Sequence, residues 1–250
     1  MLESKYDLKQ FNCIDLDQLN NVKLQNRKDT KYIFHENKLN KLLSDASQNY
    51  KILEINNSRQ FFYKSIYFDT DDFLFYNQHH NEKRSRYKIR FREYKTTGEV
   101  YFEVKEKNNK NRTVKKRYPV TSLKNTLDSF EKNLIKEIID IDKKLNDKLI
   151  IEFNRITLAN NDLTERLTID TNLTVKNHNN KKSFNNLVVT EVKQKKYNPK
   201  SKFMKILKNL KIYKMRFSKY CIGTAHIYDN LKSNRFKPKL IQLNKVLNYN

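Results

Sequence analysis

The sequence places its few arginines at every second position of short apolar or β-branched runs, on at least six separate segments. Lysine outnumbers arginine 40 to 12, yet Arg27, Arg90, Arg92, Arg117, Arg155, Arg166 and Arg216 all lie in or beside such runs. Side chains of a strand alternate between its faces, so Arg90 and Arg92 in YKIRFREY share one face while Ile89 and Phe91 share the other. The same parity recurs in RKDTKY (Arg27, Asp29, Lys31), FEVKEK (Glu103, Lys105, Lys107), TVKKRY (Lys115, Arg117) and TEVKQK (Glu191, Lys193, Lys195). The pattern describes sheet with one apolar and one cationic surface, suited to gripping a single polyanion along several strands.

A chain of 250 residues with 37% hydrophobic content is long enough for one sizeable core. Its net charge of +24 favours an anionic partner. Part of that charge follows from composition: Lys, Asn, Ile and Tyr abound beside 2 Gly and 3 Pro, as AT-rich codon usage produces. Such a bias does not set arginines in register. Cys13 and Cys221 show neither metal nor redox spacing and read as free thiols of a reducing compartment. The first thirty residues lack a signal-peptide core, and no apolar run reaches membrane-spanning length. The expectation is a cytoplasmic protein, with anionic membrane surfaces still accessible to its basic face.

No repeat or Pro/Gly/Ser linker divides the chain, so residues 1–250 read as one domain ending in a loosely packed basic tail over 235–250. Strands are predicted over 27–35, 63–70, 149–158, 164–170 and 186–195. Three more antiparallel strands fall within 85–118, turning at Thr97 and Gly98 and at the polar run 108–111. Helices are predicted over 36–46 and 71–78, the latter with acidic residues in its first turn, and one or two more over 122–148 from Leu127, Phe130, Leu134, Ile138 and Ile141. Ser201 can cap a helix carrying Phe203, Ile206 and Leu207, and a last helix begins near Ser218. The fold class is α+β: about eight mostly antiparallel strands in a closed barrel, a tunnel with helices packed outside and the charged parity inside.

Such a lumen requires a ligand, counterions or water. Two like charges about 8 Å apart repel by roughly 2 kcal/mol at an effective dielectric of 20. Dozens of such pairs exceed a net folding stability of about 5–15 kcal/mol. The alternative, that these faces simply meet solvent, holds for any one strand. It is weaker for all together, because arginine's planar fork suits phosphate oxygens. Arg27, Arg117 and Lys193 thereby join the candidate phosphate-gripping residues. Glu191 and Glu103 break the cationic pattern and are candidate ligands for Mg²⁺ or Mn²⁺, a salt bridge being an equal alternative for Glu103. The histidines have no zinc spacing, and no P-loop, GxGxxG, kinase loop or GxSxG motif occurs.

The strings RKDTKY, SIYFDT, IRFREY, FEVK, TVKKRY, FNRITL, ERLTIDT, TEVK and RFSKY occur in the order seen in the VTC (vacuolar transporter chaperone) domain, and the chain resembles that family from about Arg27 to Gly223. The family is the polyphosphate polymerase branch of the CYTH-like triphosphate tunnel metalloenzymes. The resemblance implies a basic tunnel in which the terminal phosphoryl group of ATP joins a growing inorganic polyphosphate chain, with Mn²⁺ favoured. It also implies that Lys31, Arg90, Arg92, Lys105, Lys115, Arg155 and Arg166 grip phosphate, that Glu191 holds the metal, and that Arg216, Ser218 and Lys219 of RFSKY lie at the reacting phosphate. Two positions depart from the pattern: Arg216 stands where lysine is frequent, and Phe153 where a lumen tyrosine is expected. The membrane-spanning regions of eukaryotic relatives have no counterpart, so export would need a separate membrane partner.

Three competing readings remain at this stage. A tunnel triphosphatase would hydrolyse tripolyphosphate or nucleoside triphosphates, although hydrolytic relatives begin with a glutamate-rich strand where this chain has Arg27, Asp29 and Lys31. A nucleic-acid-binding module fits the charge, but no RRM, KH or helix-turn-helix signature supports a specific nucleic-acid partner. The third is a catalytically silent polyphosphate-binding subunit.

Overall fold

The alternation read from the sequence is realised as a single large sheet. The protein is described by a computed structural model over residues 5–20, 27–110 and 112–248. The strands are β1 (Cys13–Ile14), β2 (Lys28–His35), β3 (Tyr50–Leu53), β4 (Phe61–Asp69), β5 (Arg86–Tyr94), β6 (Glu99–Lys107), β7 (Thr113–Val120), β8 (Asn146–Asn160), β9 (Glu165–Lys176), β10 (Lys181–Phe184) and β11 (Leu187–Gln194). The helices are α1 (Leu16–Asn20), α2 (Leu39–Ala46), α3 (Leu74–His80), α4 (Ser129–Lys136), α5 (Lys202–Asn209), α6 (Lys219–Ile227) and α7 (Lys237–Leu247). The class is α+β, as expected.

The main path runs β2-β11-β9-β8-β4-β5-β6-β7, antiparallel throughout, with β3 and β10 at its margins and a parallel two-residue β1–β3 pairing. Closure by backbone hydrogen bonds, expected from sequence, is not found. Among the described residues no ladder joins β7 to β2, so the barrel is an open sheet curled on itself. The outer edge of β2 is instead covered by the segment before α6, where Tyr32 bridges to Lys214 and the Met215 N–H donates to the Lys31 carbonyl at 2.8 Å.

The two faces pack differently because their side chains differ. Outward-facing Ile66, Phe68, Ile89, Phe91, Phe102 and Val104 are buried with Ile135 of α4. Ile156, Leu158, Leu167 and Ile169 are buried under α2 and α5. On the inner face, one end is apolar: Tyr67, Leu149, Ile151, Phe153 and Val175 enclose Tyr220, Cys221 and Ile222, so α6 plugs the curl from within. The rest of the inner face carries the charged parity.

Several local expectations change. Asp71 and Asp72 precede α3, which is capped by the buried carboxylate of Asp69 accepting from the N–H groups of Phe75 and Tyr76, both at 2.9 Å. Within 122–148 there is one helix, α4, fixed by an Asp128/Glu131 capping box; this start turns Ile135 inward and leaves Phe130 52% exposed. The basic tail is not loose. Phe236, Leu240, Leu243 and Leu247 recur three or four apart among its lysines, and α7 packs them on the core with Leu243 fully buried. Asn111, in the predicted 108–111 turn, lies outside the described residues. Among those residues no helix is long and apolar enough to cross a membrane.

α6 comes close enough to the sheet that a Cβ at Gly223 would meet Val175 Cγ1 at 2.8 Å and Leu149 Cδ2 at 3.0 Å. Gly223→Ala is therefore expected to cost about 1–3 kcal/mol through overpacking. Thermal unfolding should show a melting temperature lower by roughly 2–4 °C per kcal/mol lost.

Candidate functional site

Side chains from every strand of the β2-to-β7 path converge on one cavity of about 320 Å³. Arg27 and Lys31 enter it at β2, Arg90 and Arg92 from β5, Lys105 from β6 and Lys115 from β7. Arg155 enters from β8, Arg166 from β9, and Glu191 and Lys193 from β11. The N-terminus of α6 closes the inner end with Ser218 and Lys219. This bore exists because each strand keeps its charged parity inward while the opposite parity is held in the outer core. Phe153 also lines it.

Three predicted site residues lie elsewhere. Arg216 is exposed in an adjoining cavity of about 650 Å³ that meets the bore at Asp29, Lys31, Lys88, Phe217 and Ser218. Arg117 stands outside the lining, its guanidinium 3.3 Å from the Tyr101 ring centroid and 3.6 Å from Glu103 Oε1. Glu103 is buried on the inner face beneath Arg90 and Lys115 and does not line the bore. Conversely, Lys88 and Tyr67 line the bore and were missed, although Lys88 shares the parity of Arg90 and Arg92. Its ammonium donates to Ser218 Oγ at 3.0 Å, and that same oxygen caps α6 by accepting from the Cys221 N–H at 3.2 Å.

Two buried carboxylates, neither lining the bore, hold its cations from behind. Glu103, 1% exposed, accepts from Arg90 Nε at 2.7 Å and Nη2 at 2.5 Å and also pairs with Lys115. Burial pushes its pKa up, but the charges of Arg90, Arg92 and Lys115 outweigh this and hold it well below the usual carboxylate range. Asp170, 2% exposed, accepts from Arg155 Nε at 2.6 Å and Nη2 at 2.8 Å, and from Lys219 Nζ at 2.5 Å. Burial is again outweighed by the two cations, which keep Asp170 ionised. Arg90 also donates to the Tyr67 hydroxyl at 2.6 Å, and despite burial its charge, with those of Arg92 and Lys88, lowers Tyr67 to about 8.

Glu191 pairs with Lys31 and lies 3.4 Å from Lys193. Asp29, on the neighbouring strand, is pushed up by burial and by the carboxylate of Glu191 beside it. Among the described residues no three acidic, histidine or cysteine side chains form a metal cluster. The Asp29–Glu191 pair nevertheless suits a hard divalent cation, which needs only one or two protein carboxylates when phosphate oxygens complete its shell. Glu103, its oxygens taken by three cations, has the geometry of the salt-bridge alternative.

The curled sheet, its plug helix and its basic bore define an α+β protein built around a cationic cavity. A profile of the VTC domain matches residues 26–228, and the chain belongs to that family. Among solved structures, Hippeastrum HpAC1, named as an adenylyl cyclase and described with a dominant triphosphatase activity, superposes with TM-score 0.51 at 12% identity over 80% of this chain and 95% of its own. A Bacillus halodurans protein named as an adenylate cyclase gives TM-score 0.48 at 14% identity over 78% and 96%. A Vibrio parahaemolyticus protein of the same designation gives 0.47 at 10% over 79% and 99%. At these identities the likeness concerns the fold alone. No curated sequence matches the chain.

Burial and the neighbouring charge of Lys88 lower Lys105 to about 8, and burial lowers Lys115 to about 8 against the opposing pull of Glu103. A polyanion binds the protonated forms, so its affinity is expected to be full below pH 8 and to fall as pH rises through that value. Calorimetric titration with tripolyphosphate between pH 6 and pH 10, within roughly two units of the lowered values, should show this decline together with proton uptake on binding near pH 8.

Proposed function

We propose that the protein is a polyphosphate polymerase that transfers the terminal phosphoryl group of ATP to a growing inorganic polyphosphate chain inside the bore, with a divalent metal. The observation that carries this reading is the convergence of cations from seven of the eight strands of the path, with Tyr67 from β4, on one narrow bore. Phosphoryl transfer needs positioning and charge neutralisation more than covalent help from the protein.

In this reading an oxygen of the acceptor phosphate forms a bond to the γ-phosphorus of ATP, the bond from that phosphorus to the β–γ bridging oxygen breaks, and ADP leaves with the electron pair. Arg90, Arg92, Arg155 and Arg166 hold successive phosphates through guanidinium forks, helped by Arg27, Lys31, Lys105, Lys115 and Lys193 as point charges. Lys219 and the first N–H groups of α6 face the reacting phosphate, where the helix terminus favours negative charge. Glu191 and Asp29 would hold Mn²⁺ or Mg²⁺, which supplies further charge neutralisation when bound. Glu103 acts as counter-ion to Arg90 and Lys115. Arg216 and Arg117 are assigned to the approaches to the bore.

A second reading, a triphosphatase, is favoured by the activity described for the Hippeastrum fold neighbour. Against it, Asp29 and Glu191 are the bore's only lining carboxylates among the described residues, which leaves few groups to activate water.

Purified protein with ATP and Mn²⁺ should yield acid-insoluble polyphosphate, and Lys219→Ala should lower the rate by about 10²–10³-fold, the effect of removing one transition-state donor. Free phosphate as the only product would assign hydrolysis instead. Equal product from both proteins would remove Lys219 from the site.

A further inference from the structure

We propose that Asp170 is a positioning residue that aims Lys219 and Arg155 at the same phosphate, an inference that rests on the bore being a phosphate site. Asp170 on β9 lies directly across the ladder from Arg155 on β8, and Lys219 is the first residue of α6. One carboxylate therefore ties two strands of the wall to the plug helix. Its Oδ1 accepts from Arg155 Nε, and its Oδ2 accepts from both Arg155 Nη2 and Lys219 Nζ. Both cations line the bore and the carboxylate does not, so it holds each of them from the rear while leaving donors for a ligand in front.

Among the described residues no other carboxylate or hydrogen-bond acceptor anchors the Lys219 ammonium. The Phe153 ring lies beneath both cations, its centroid 4.6 Å from Lys219 Nζ and 5.1 Å from Arg155 Cζ. A ring face attracts a cation without fixing its direction. A lysine side chain has four rotatable bonds and much rotamer entropy, so a point charge that must meet one phosphate needs a partner to hold it.

A purely structural role, pinning α6 to the sheet, is poorly supported. Tyr220, Cys221, Ile222 and Gly223 already pack on Leu149 and Val175, and a buried ion pair adds little net stability over such packing. Asp170 also has a chemical effect that packing lacks. Burial and the charges of Arg155 and Lys31 pull the Lys219 ammonium towards its neutral form, and Asp170 opposes them. Removing the negative charge weakens proton binding at Lys219, so the high-pH limit of ligand binding moves to lower pH.

The test uses the full chain as wild type, Asp170→Asn, Asp170→Glu, Lys219→Ala and the Asp170→Asn/Lys219→Ala double variant. Tripolyphosphate affinity is measured by calorimetry against pH, and ATP-dependent chain growth is followed for kcat and KM. Asp170→Asn is expected to shift the alkaline limit down by about one pH unit and to lower kcat at least about tenfold, with KM changed less than about threefold. Asp170→Glu should restore the alkaline limit while leaving kcat low, because an added methylene displaces both cations. In the Lys219→Ala background Asp170→Asn should cause no further pH shift. Should Asp170→Asn fail to fold, Asp170→Glu decides alone: a wild-type kcat there overturns the inference. An unchanged alkaline limit in folded Asp170→Asn, with tripolyphosphate still bound, overturns it and leaves the phosphate site standing. Absence of tripolyphosphate binding by the wild type overturns both.

Discussion

Mutual repulsion among the inward-facing cations is the constraint on which the rest of the structure depends. Arg90, Arg92, Lys105, Lys115, Arg155, Arg166, Lys193 and Lys219 share one cavity of about 320 Å³, where water is too scarce to screen them as it would on an open surface. The fold answers with Glu103 and Asp170, buried on the inner face of the sheet beneath the cations they pair with, where they relieve repulsion without lining the bore. Glu103 serves three cations and Asp170 two, so the balance is incomplete. Burial, with the residual positive charge, lowers Lys105 and Lys115, and that charge is the driving force for taking up a polyanion.

This arrangement also explains why the inner face is divided. Where α6 fills the curl, the inward residues are Leu149, Ile151 and Val175; beyond its N-terminus they are charged. The boundary is occupied by residues with both characters. Tyr67 stacks on Tyr220 at 5.0 Å while its hydroxyl meets Arg90, and Tyr220 in turn donates to Asp69, which also caps α3. The plug, the wall and an outer helix are thus coupled through one line of aromatic and carboxylate contacts.

How much of this could be read from the sequence follows from the range of the interactions involved. Inward parity is local and periodic, and it marks the strand residues of the lining from Arg27 to Lys193, whereas Ser218 and Lys219 were reached only through the resemblance of RFSKY to the family. Asp170 and Lys88 lie on the same parities as Arg166 and Arg90, so their positions were legible, but pairing between β8, β9 and α6 is tertiary and no spacing encodes it. Sheet closure depends on accumulated strand shear, which a sequence pattern does not carry. β1, β3 and β10 span two to four residues each, too few for a period to emerge. The stripe of α7 was hidden among lysines, and in α4 the capping box, not the apolar spacing, set the helical phase.

The open seam has a mechanical consequence. Among the described residues β7 has strand hydrogen bonds only to β6, whereas the interior strands of the path are bonded on both sides. Opening it breaks one row of hydrogen bonds instead of two, so this part of the wall unfolds locally at lower free energy than the doubly bonded strands and its amides exchange with solvent sooner than theirs. The compliance of the barrel is therefore unequal around its circumference: stiff where β8 and β9 embrace the plug, and yielding along the flank that carries Lys115.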